Sequence, residues 1–154
     1  MVEVVERMLF RRIAPRGRTP FPPHNIACLD PHVAAGDTLR RELQARQIPV
    51  GRMLIATPEV SQGLERPLVV ATYPIHGPTP SAFELDPGRL CVSLTRHLFA
   101  CLVVARDGFE GTLTGHQHDS GSRPLGSPDQ VWRGMQGHRR LWQELRELGR
   151  IVPV

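Results

Sequence analysis

Four short apolar runs divide the first two thirds of this chain and limit the folds open to it. They lie in residues 25–30 (NIACLD), 52–57 (RMLIAT), 68–73 (LVVATY) and 100–105 (ACLVVA). Each run is mostly apolar instead of alternating with polar residues, which is typical of strands buried on both faces of a parallel sheet. Helix-forming segments separate several of the runs. The sequence therefore predicts an α/β fold with helices on both faces of a parallel sheet.

Two of the connecting segments begin with an Asp-Pro pair, which favours a helix start because Asp caps the helix and Pro takes its first position. The first predicted helix starts at Asp30 and runs to about Gln47, and the second starts at Asp86. A last helix is predicted to begin at residues 127–128 and to end at Gly149, with apolar residues at helical spacing between them.

Length and composition fit one domain with an extension at each end. A chain of 154 residues can bury roughly two thirds of the surface that its unfolded form exposes. We expect a poorly ordered, Arg- and Pro-rich lead-in over residues 1–23, a core over residues 24–106, and a loop with a C-terminal helix over residues 107–154. The three cysteines are unclustered, which favours reduced thiols in a cytoplasmic protein.

The first residues lack the apolar stretch of a signal peptide, so we expect no secretory leader. The longest apolar run, residues 99–105, is much shorter than the ~20 residues that a membrane helix needs. We therefore expect no association with a membrane from either the N-terminal residues or the apolar runs.

The basic residues of the chain are all arginine. There are 19 of them, and the formal net charge is +4. This charge permits contact with nucleic acid, but an arginine-only basic set also fits a GC-rich genome, so composition alone leaves that partner open. The absence of lysine does exclude a phosphate-binding loop of the form GxxxxGK followed by Ser or Thr.

Residues 57–65 (TPEVSQGLE) follow directly after the second apolar run. In a parallel sheet, the loops that follow strands lie at the carboxyl edge, where ligands bind. We expect Gly63 to allow a tight turn and a close approach of the backbone. Thr57, Gln62 and Glu65 provide a hydroxyl, an amide and a carboxylate, which suit phosphate, ribose or inter-domain contacts. The alternative is a loop whose polar side chains cap its own backbone.

Residues 89–97 (RLCVSLTRH) continue the helix predicted from Asp86. On a helix, Arg89 and Arg96 share one face and lie about 10 Å apart along the axis. Two guanidinium groups facing the carboxyl edge suit a polyphosphate, because arginine binds phosphate oxygens bidentately and stays charged. The alternative is a basic helix face in contact with water.

Taken together, residues 57–65 and 89–97 resemble motifs V and VI of superfamily 1 helicases, the ATP-driven nucleic-acid motors built from two RecA-like domains. The resemblance covers about residues 22–105. It implies that the chain is the second RecA-like domain of such a motor. ATP and Mg²⁺ would be bound in the cleft shared with a first domain, which would carry the phosphate-binding lysine.

The resemblance also implies roles for individual residues. The implied catalytic residues, which act at the γ-phosphate, are the arginine finger Arg96 and its neighbour Arg89. The implied nucleotide-binding residues are Gln62, Gly63 and Glu65. The implied nucleic-acid contact is Thr57, together with His24 and Asn25 from a segment similar to motif IV, whose polar residues contact the adenine or the nucleic-acid backbone.

The implied partners are single-stranded DNA or RNA and the first RecA-like domain. We expect no ATP hydrolysis by the chain alone, because it lacks the lysine loop and a magnesium-binding acidic stretch. Two alternatives to this motor domain remain open. The first is a stand-alone module that binds nucleic acid or a protein partner, and the second is a non-functional remnant of a disrupted helicase gene.

Two further groups of residues have less specific explanations. His116, His118 and Asp119 fit a polar surface loop better than a metal site, because structural zinc normally takes four ligands. Trp132 and Trp142 suit stacking on bases, but the spacing of Trp142 on the last predicted helix favours a packing role for it. We expect no structural metal.

Overall fold

The computed structural model describes residues 1–10, 21–115 and 129–151. The chain forms two compact units. The first comprises Met1–Pro74 and Arg89–Ala105, and the second comprises Ile75–Gly88 and Arg106–Val154. Both helicase-like segments lie in the first unit.

A four-stranded, all-parallel sheet forms the centre of the first unit. Its strands are β1 (Ile26–Leu29), β2 (Leu54–Ala56), β3 (Arg66–Thr72) and β4 (His97–Val104), in the spatial order β2-β1-β3-β4. Each of the four apolar runs overlaps one of these strands, although β3 and β4 begin two and three residues before their runs. The predicted α/β fold with a parallel sheet is therefore confirmed.

Three helices accompany the sheet: α1 (Val2–Phe10), α2 (Val33–Ala45) and α3 (Pro87–Thr95). Helix α1 was not predicted, since the sequence analysis assigns these residues to the lead-in. Val5 of α1 is fully buried in the core. Residues 11–20, which make up much of the predicted lead-in, lie outside the described part of the chain.

Helix α2 begins later than its Asp-Pro signal predicts. The position before its first residue is taken by His32, and the Asp30 carboxylate instead accepts the N–H of His32 at 2.8 Å. Helix α2 also ends before Gln47, which has a left-handed backbone with φ of 60°. The second Asp-Pro signal is confirmed, because the Asp86 carboxylate accepts the N–H of Gly88 at 2.8 Å at the start of α3.

The two central strands, β1 and β3, are covered on both faces, whereas β4 is exposed or half-buried. The strand residues on one face pack with α1 and α2 in a cluster that includes Ile26, Cys28, Leu68, Val70, Val5, Leu39 and Leu43. The strand residues on the other face form a cluster of smaller side chains, Ala27, Leu29, Val69 and Ala71. Helix α3 lies against this second face, where the Cys101 thiol is 3.9 Å from the Ser93 carbonyl.

The second unit contains α4 (Phe109–Gly115) and the C-terminal helix α5 (Gln130–Glu147). The Asp129 carboxylate caps α5 by accepting the N–H of Trp132 at 2.8 Å, and Gly149, with φ of 61°, follows its end. The C-terminal helix is confirmed, whereas its predicted start at residues 127–128 lies outside the described residues. Helix α4 occupies a segment predicted to be loop.

Trp142 packs inside the second unit. Its ring meets that of Phe109 edge-on, with ring centroids 4.9 Å apart. The predicted packing role of Trp142 is therefore confirmed, while Trp132 is half exposed. The histidine pair at 116 and 118 lies outside the described residues. Within the described ranges, no helix is both long enough and apolar enough to cross a membrane.

Candidate functional site

The two helicase-like segments meet at the amino edge of the sheet, where the strands begin. Glu65 immediately precedes β3, and Arg96 immediately precedes β4. These two strands are neighbours, and the N–H of Arg66 donates a 3.0 Å hydrogen bond to the carbonyl oxygen of Arg96. Glu65 and Arg96 are therefore brought together, but at the edge opposite to the one that the sequence predicts.

The predicted pairing of Arg89 and Arg96 on one helix face is wrong. Helix α3 ends at Thr95, and Arg96 already forms the connection to β4. Arg89 lies near the start of α3, about 10 Å away along the helix at 1.5 Å per residue. The chain runs through α3 from the carboxyl side of the sheet to its amino edge, so Arg89 and Arg96 lie at opposite ends of the helix, at about the axial separation that the sequence predicts.

At the amino edge, the guanidinium groups of Arg66 and Arg96 are only partly hydrogen-bonded. Each has one terminal nitrogen bound within the chain: Nη1 of Arg66 donates to the Glu65 carbonyl at 2.8 Å, and Nη2 of Arg96 donates to the Thr95 hydroxyl at 3.0 Å. The Nε atoms of both arginines are buried and have no acceptor among the described residues. A buried donor without a partner typically costs about 1–3 kcal/mol.

Pro67 explains why the ladder between β3 and β4 is irregular at this edge. Proline has no N–H to donate, so sheet residues of this type are found at edges and bulges. The register passes from Arg66 opposite His97 directly to Leu68 opposite Ala100, which leaves one extra residue in β4. Such bulges redirect nearby side chains and are frequent beside binding sites.

Arg89 is bound by a different partner, on the carboxyl side of the sheet. Its Nε donates to the carboxylate of Glu59, which lies in the loop after β2. The Arg89 side chain is 20% exposed and that of Glu59 is 49% exposed. This ion pair ties the loop of the first segment to the helix of the second.

Several contacts determine the charge state of Glu59. Partial burial by itself raises the pKa of this carboxyl group. Hydrogen bonds from its own backbone N–H, the Thr57 hydroxyl and the Arg89 guanidinium, together with the charge of Arg89, outweigh that effect and lower the pKa below its usual value. Glu59 is therefore a carboxylate at neutral pH, and it holds Thr57 and Arg89 together.

The rest of the loop makes a tight turn between these two edges. Gly63 has φ of 80°, which glycine adopts without strain, so the predicted turn is confirmed. The predicted close approach is not seen, because no atom lies within 4 Å of the place that a Cβ on Gly63 would occupy. The buried Ser61 hydroxyl donates to the Pro58 carbonyl at 2.8 Å, while Gln62 is exposed.

The three predicted nucleic-acid contacts do not converge. His24 and Asn25 form a 3₁₀ turn directly before β1, at the amino edge. Thr57 follows β2, at the carboxyl edge. The single rim predicted from the sequence is therefore replaced by two groups of residues at opposite ends of the strands.

The topological switch point of the sheet carries two residues that the sequence analysis did not assign to a site. The chain leaves β1 toward β2 and leaves β3 toward β4, so the carboxyl ends of β1 and β3 flank the crevice where ligands bind in such sheets. There the Thr72 hydroxyl donates to the largely buried Asp30 carboxylate. A polar residue at the carboxyl end of each of two buried strands or runs was the available signal.

No group of three or more His, Cys, Asp or Glu side chains within residues 1–10, 21–115 and 129–151 is arranged to hold a metal ion. A comparison of the sequence with protein-family models and with curated proteins finds no match. The geometry of the two edges is therefore the basis for a functional proposal.

Proposed function

We propose that this chain is the second RecA-like domain of a superfamily 1 helicase, and that it supplies an arginine finger to an ATP site shared with a first RecA-like domain. One observation carries the proposal. The backbone hydrogen bond from Arg66 to Arg96 joins the residue after one helicase-like segment to the last part of the other. Glu65 and Arg96, the carboxylate and guanidinium implied to contact the nucleotide, thereby face the same edge of a parallel α/β sheet.

Arg96 has the properties that an arginine finger needs. It is partly buried, and one terminal nitrogen is held by the Thr95 hydroxyl, which restricts the guanidinium. Its Nε is buried and has no acceptor among the described residues, so a ligand would reach it only after the side chain moves. A positioned guanidinium stabilises the charge on a transferring phosphoryl group and typically contributes about 10³–10⁵ in rate.

ATP and Mg²⁺ are the cofactors of the proposed motor. The guanidinium group of Arg96 at the amino edge suits the phosphate oxygens of ATP, because arginine is permanently charged and binds phosphate bidentately. The first domain would hold the magnesium ion and supply the phosphate-binding lysine. When bound, ATP supplies the phosphoryl group whose transfer to water drives the motor.

Arg89 takes a positioning role in this proposal. Because the Glu59 carboxylate engages it, Arg89 fixes the loop after β2 against α3. That loop continues to Glu65, and α3 continues to Arg96. The Glu59–Arg89 ion pair would therefore help to keep the two nucleotide-facing residues in register.

Because the remaining residues lie at two different edges, we propose a different ligand for each group. His24 and Asn25 share the amino edge with Glu65 and Arg96, which favours contact with the adenine. Thr57 lies at the other edge, where its hydroxyl can turn from Glu59 to a nucleic-acid phosphate while Arg89 continues to bind Glu59. The nucleotide and the single strand would then lie at opposite ends of the strands.

The proposal is tested by joining this chain to the first RecA-like domain of a superfamily 1 helicase and measuring ATP hydrolysis with and without single-stranded DNA or RNA. We expect strand-stimulated hydrolysis that Arg96→Ala lowers by at least a hundredfold. Arg41→Ala is the matched control, since Arg41 is exposed on α2 and binds only its helix neighbour Thr38 in the described structure.

Equal activity of the Arg96→Ala and Arg41→Ala proteins would contradict an arginine finger at position 96. Single-strand binding by the folded chain, combined with no stimulated hydrolysis in the joined protein, would favour the stand-alone binding module.

A further inference from the structure

We propose that the second unit binds a small phosphorylated molecule in a cavity lined by α4 and the loop before α3. The cavity has a volume of about 510 Å³, and pockets for small organic ligands typically have about 300–1,000 Å³. Its described walls include Thr79, Arg106, Gly108, Gly111, Thr112 and Gly115. All of them belong to the second unit. The helicase-like segments lie in the first unit, so this site does not depend on the function proposed for them.

Arg106 gives the cavity a permanent positive charge. Its Nη2 donates to the Thr112 hydroxyl at 3.3 Å, which holds the guanidinium against α4. The other guanidinium donors have no acceptor among the described residues. Because the Arg106 side chain is exposed, a ligand can reach these donors from solvent. The nearby carboxylates of Asp107 and Glu110 do not line the described walls, and Glu110 is paired with Arg146. The charge of the site therefore favours an anion.

Two threonines add hydroxyl donors to the arginine. Thr112 is only 8% exposed, and its hydroxyl accepts from Arg106 but donates to no acceptor in the described part of the chain. The hydroxyl of the exposed Thr79 likewise forms no hydrogen bond with the described residues. A guanidinium fork with two separate hydroxyls suits the three terminal oxygens of a phosphate group better than the two oxygens of a planar carboxylate.

The glycines of α4 leave room for the rest of the ligand. Gly111 and Gly115 are four residues apart and therefore share one face of the helix. Within the described structure, no atom lies within 4 Å of the place that a Cβ on either glycine would occupy. This open face accommodates an organic group next to the phosphate, which favours a phosphate monoester over inorganic phosphate.

The test is calorimetric titration of the full chain with phenyl phosphate, inorganic phosphate and benzoate. Phenyl phosphate should bind most tightly, because it alone combines a phosphate group with a ring. Arg106→Gln should weaken its binding by about tenfold or more, since the variant loses charge-assisted hydrogen bonds. Arg106→Lys keeps the charge without the fork and should have an intermediate affinity. Arg133→Gln is the matched control, because Arg133 is exposed in the same unit and does not line the described walls.

Two further variants test the walls of the cavity. Thr112→Val removes the buried hydroxyl and should weaken phenyl phosphate binding by about three- to tenfold. Thr114→Val is its control, since Thr114 is exposed on the same helix and donates to the Glu110 carbonyl. Gly111→Leu fills the open face and should weaken binding of phenyl phosphate more than that of inorganic phosphate. Leucine favours a helix more than glycine does, so this loss would not reflect unfolding of α4.

Several results would overturn the site. These are no saturable binding of phenyl phosphate at millimolar concentrations, or an affinity of Arg106→Gln within about twofold of wild type. Benzoate binding as tight as that of phenyl phosphate would reject phosphate as the recognised group. Tighter binding of a short phosphoserine peptide than of phenyl phosphate would reject a small molecule in favour of a protein partner. Failure of the joined protein to hydrolyse ATP would contradict the motor and leave this site unaffected.

Discussion

Glu59 and Arg89 form an ion pair that joins the loop after β2 to the start of α3. The two residues come from different sequence segments, 30 positions apart. The same carboxylate also accepts the Thr57 hydroxyl. One exposed carboxylate thus connects the beginnings of both helicase-like segments, while their ends meet at Arg66 and Arg96.

Breaking this ion pair should have a measurable but modest effect on stability. The Glu59 side chain is about half exposed, so solvent screens the pair, and we expect Arg89→Ala to lower the free energy of unfolding by roughly 1 kcal/mol. A double-mutant cycle with Glu59→Gln, followed by urea unfolding, isolates the interaction itself. The exposed pair Arg140–Glu144 on α5 supplies a control cycle, where we expect nearly no coupling. Equal coupling in the two cycles would show that the Glu59–Arg89 pair has no special role.

The sheet was predictable because a short apolar run lies in each strand. Strand β1 and most of β3 are buried as such runs predict, whereas β4 is exposed or half-buried along its length. The sequence expectation placed Arg96 at the wrong edge, although a helix that leads into a parallel strand ends at the amino edge, and Arg96 directly precedes β4. Where α3 ends was not predictable, since helical periodicity does not specify the last residue of a helix. Asp30 shows a second limit. Its Asp-Pro pair is typical of a helix cap, while its bond to Thr72, 42 residues away, depends on the strand order.

Helix α1 was missed for a different reason. Val2, Val5 and Leu9 have the spacing of an amphipathic helix, but the arginines and prolines that follow dominated the interpretation of residues 1–23. Local spacing was the better indicator here, because burying Val5 in the core provides the stability that a short helix lacks alone.

Protonation of His138 should make the second unit sensitive to mild acid. Burial lowers the pKa of this fully buried histidine to about 4, and a hydrogen bond with the Glu84 backbone offsets a smaller part of that effect. An unfolded histidine has a pKa of about 6.5, so the unfolded chain binds an additional proton between these values, and stability falls as pH falls through this window. Near pH 5 the loss should be roughly 2 kcal/mol.

Urea unfolding followed by tryptophan fluorescence at pH 7.5 and pH 5 measures this loss, since both tryptophans lie on α5. His138→Gln should show a smaller pH dependence over the same interval, whatever its stability at pH 7.5. Identical pH dependence in the two proteins would mean that another group is responsible.

Two glycines on α5 should respond in opposite ways to alanine. A Cβ on Gly134 would lie 2.0 Å from the carbonyl oxygen of Leu85, whereas no atom lies within 4 Å of a Cβ on Gly137. Gly134→Ala should therefore destabilise the protein by roughly 1–3 kcal/mol through overpacking. Gly137→Ala should stabilise it by about 0.5–1 kcal/mol through helix propensity. Thermal unfolding of both variants tests this contrast, and a similar shift in both would be inconsistent with the close packing of α5 on Leu85.

The three cysteines should react with thiol reagents in a fixed order. Cys91 is exposed on α3, Cys101 is partly buried and Cys28 is buried in β1. Burial raises the pKa of Cys101 to about 11 and that of Cys28 to about 12, which leaves little thiolate to react. Mass spectrometry after timed iodoacetamide treatment should show Cys91 modified first and Cys28 modified only when the sheet unfolds. Rapid labelling of Cys28 in the folded chain would contradict the observed core.

Nucleic-acid and nucleotide binding should be separable by substitutions at the two edges of the sheet. Thr57→Val removes a hydroxyl at the carboxyl edge and should weaken binding of a fluorescent oligothymidylate by about three- to tenfold, without changing tripolyphosphate affinity. Asn25→Ala at the amino edge should leave the oligonucleotide affinity unchanged and weaken binding of ATP more than that of tripolyphosphate.

Fluorescence anisotropy at two salt concentrations gives the oligonucleotide affinities. The logarithm of the affinity should fall with the logarithm of the salt concentration with a slope of about −0.7 for each phosphate neutralised. Thr38→Val, an exposed threonine on α2, is the matched control. If Asn25→Ala weakens oligonucleotide binding while Thr57→Val does not, the single strand lies at the amino edge and the proposed division between the two edges is wrong.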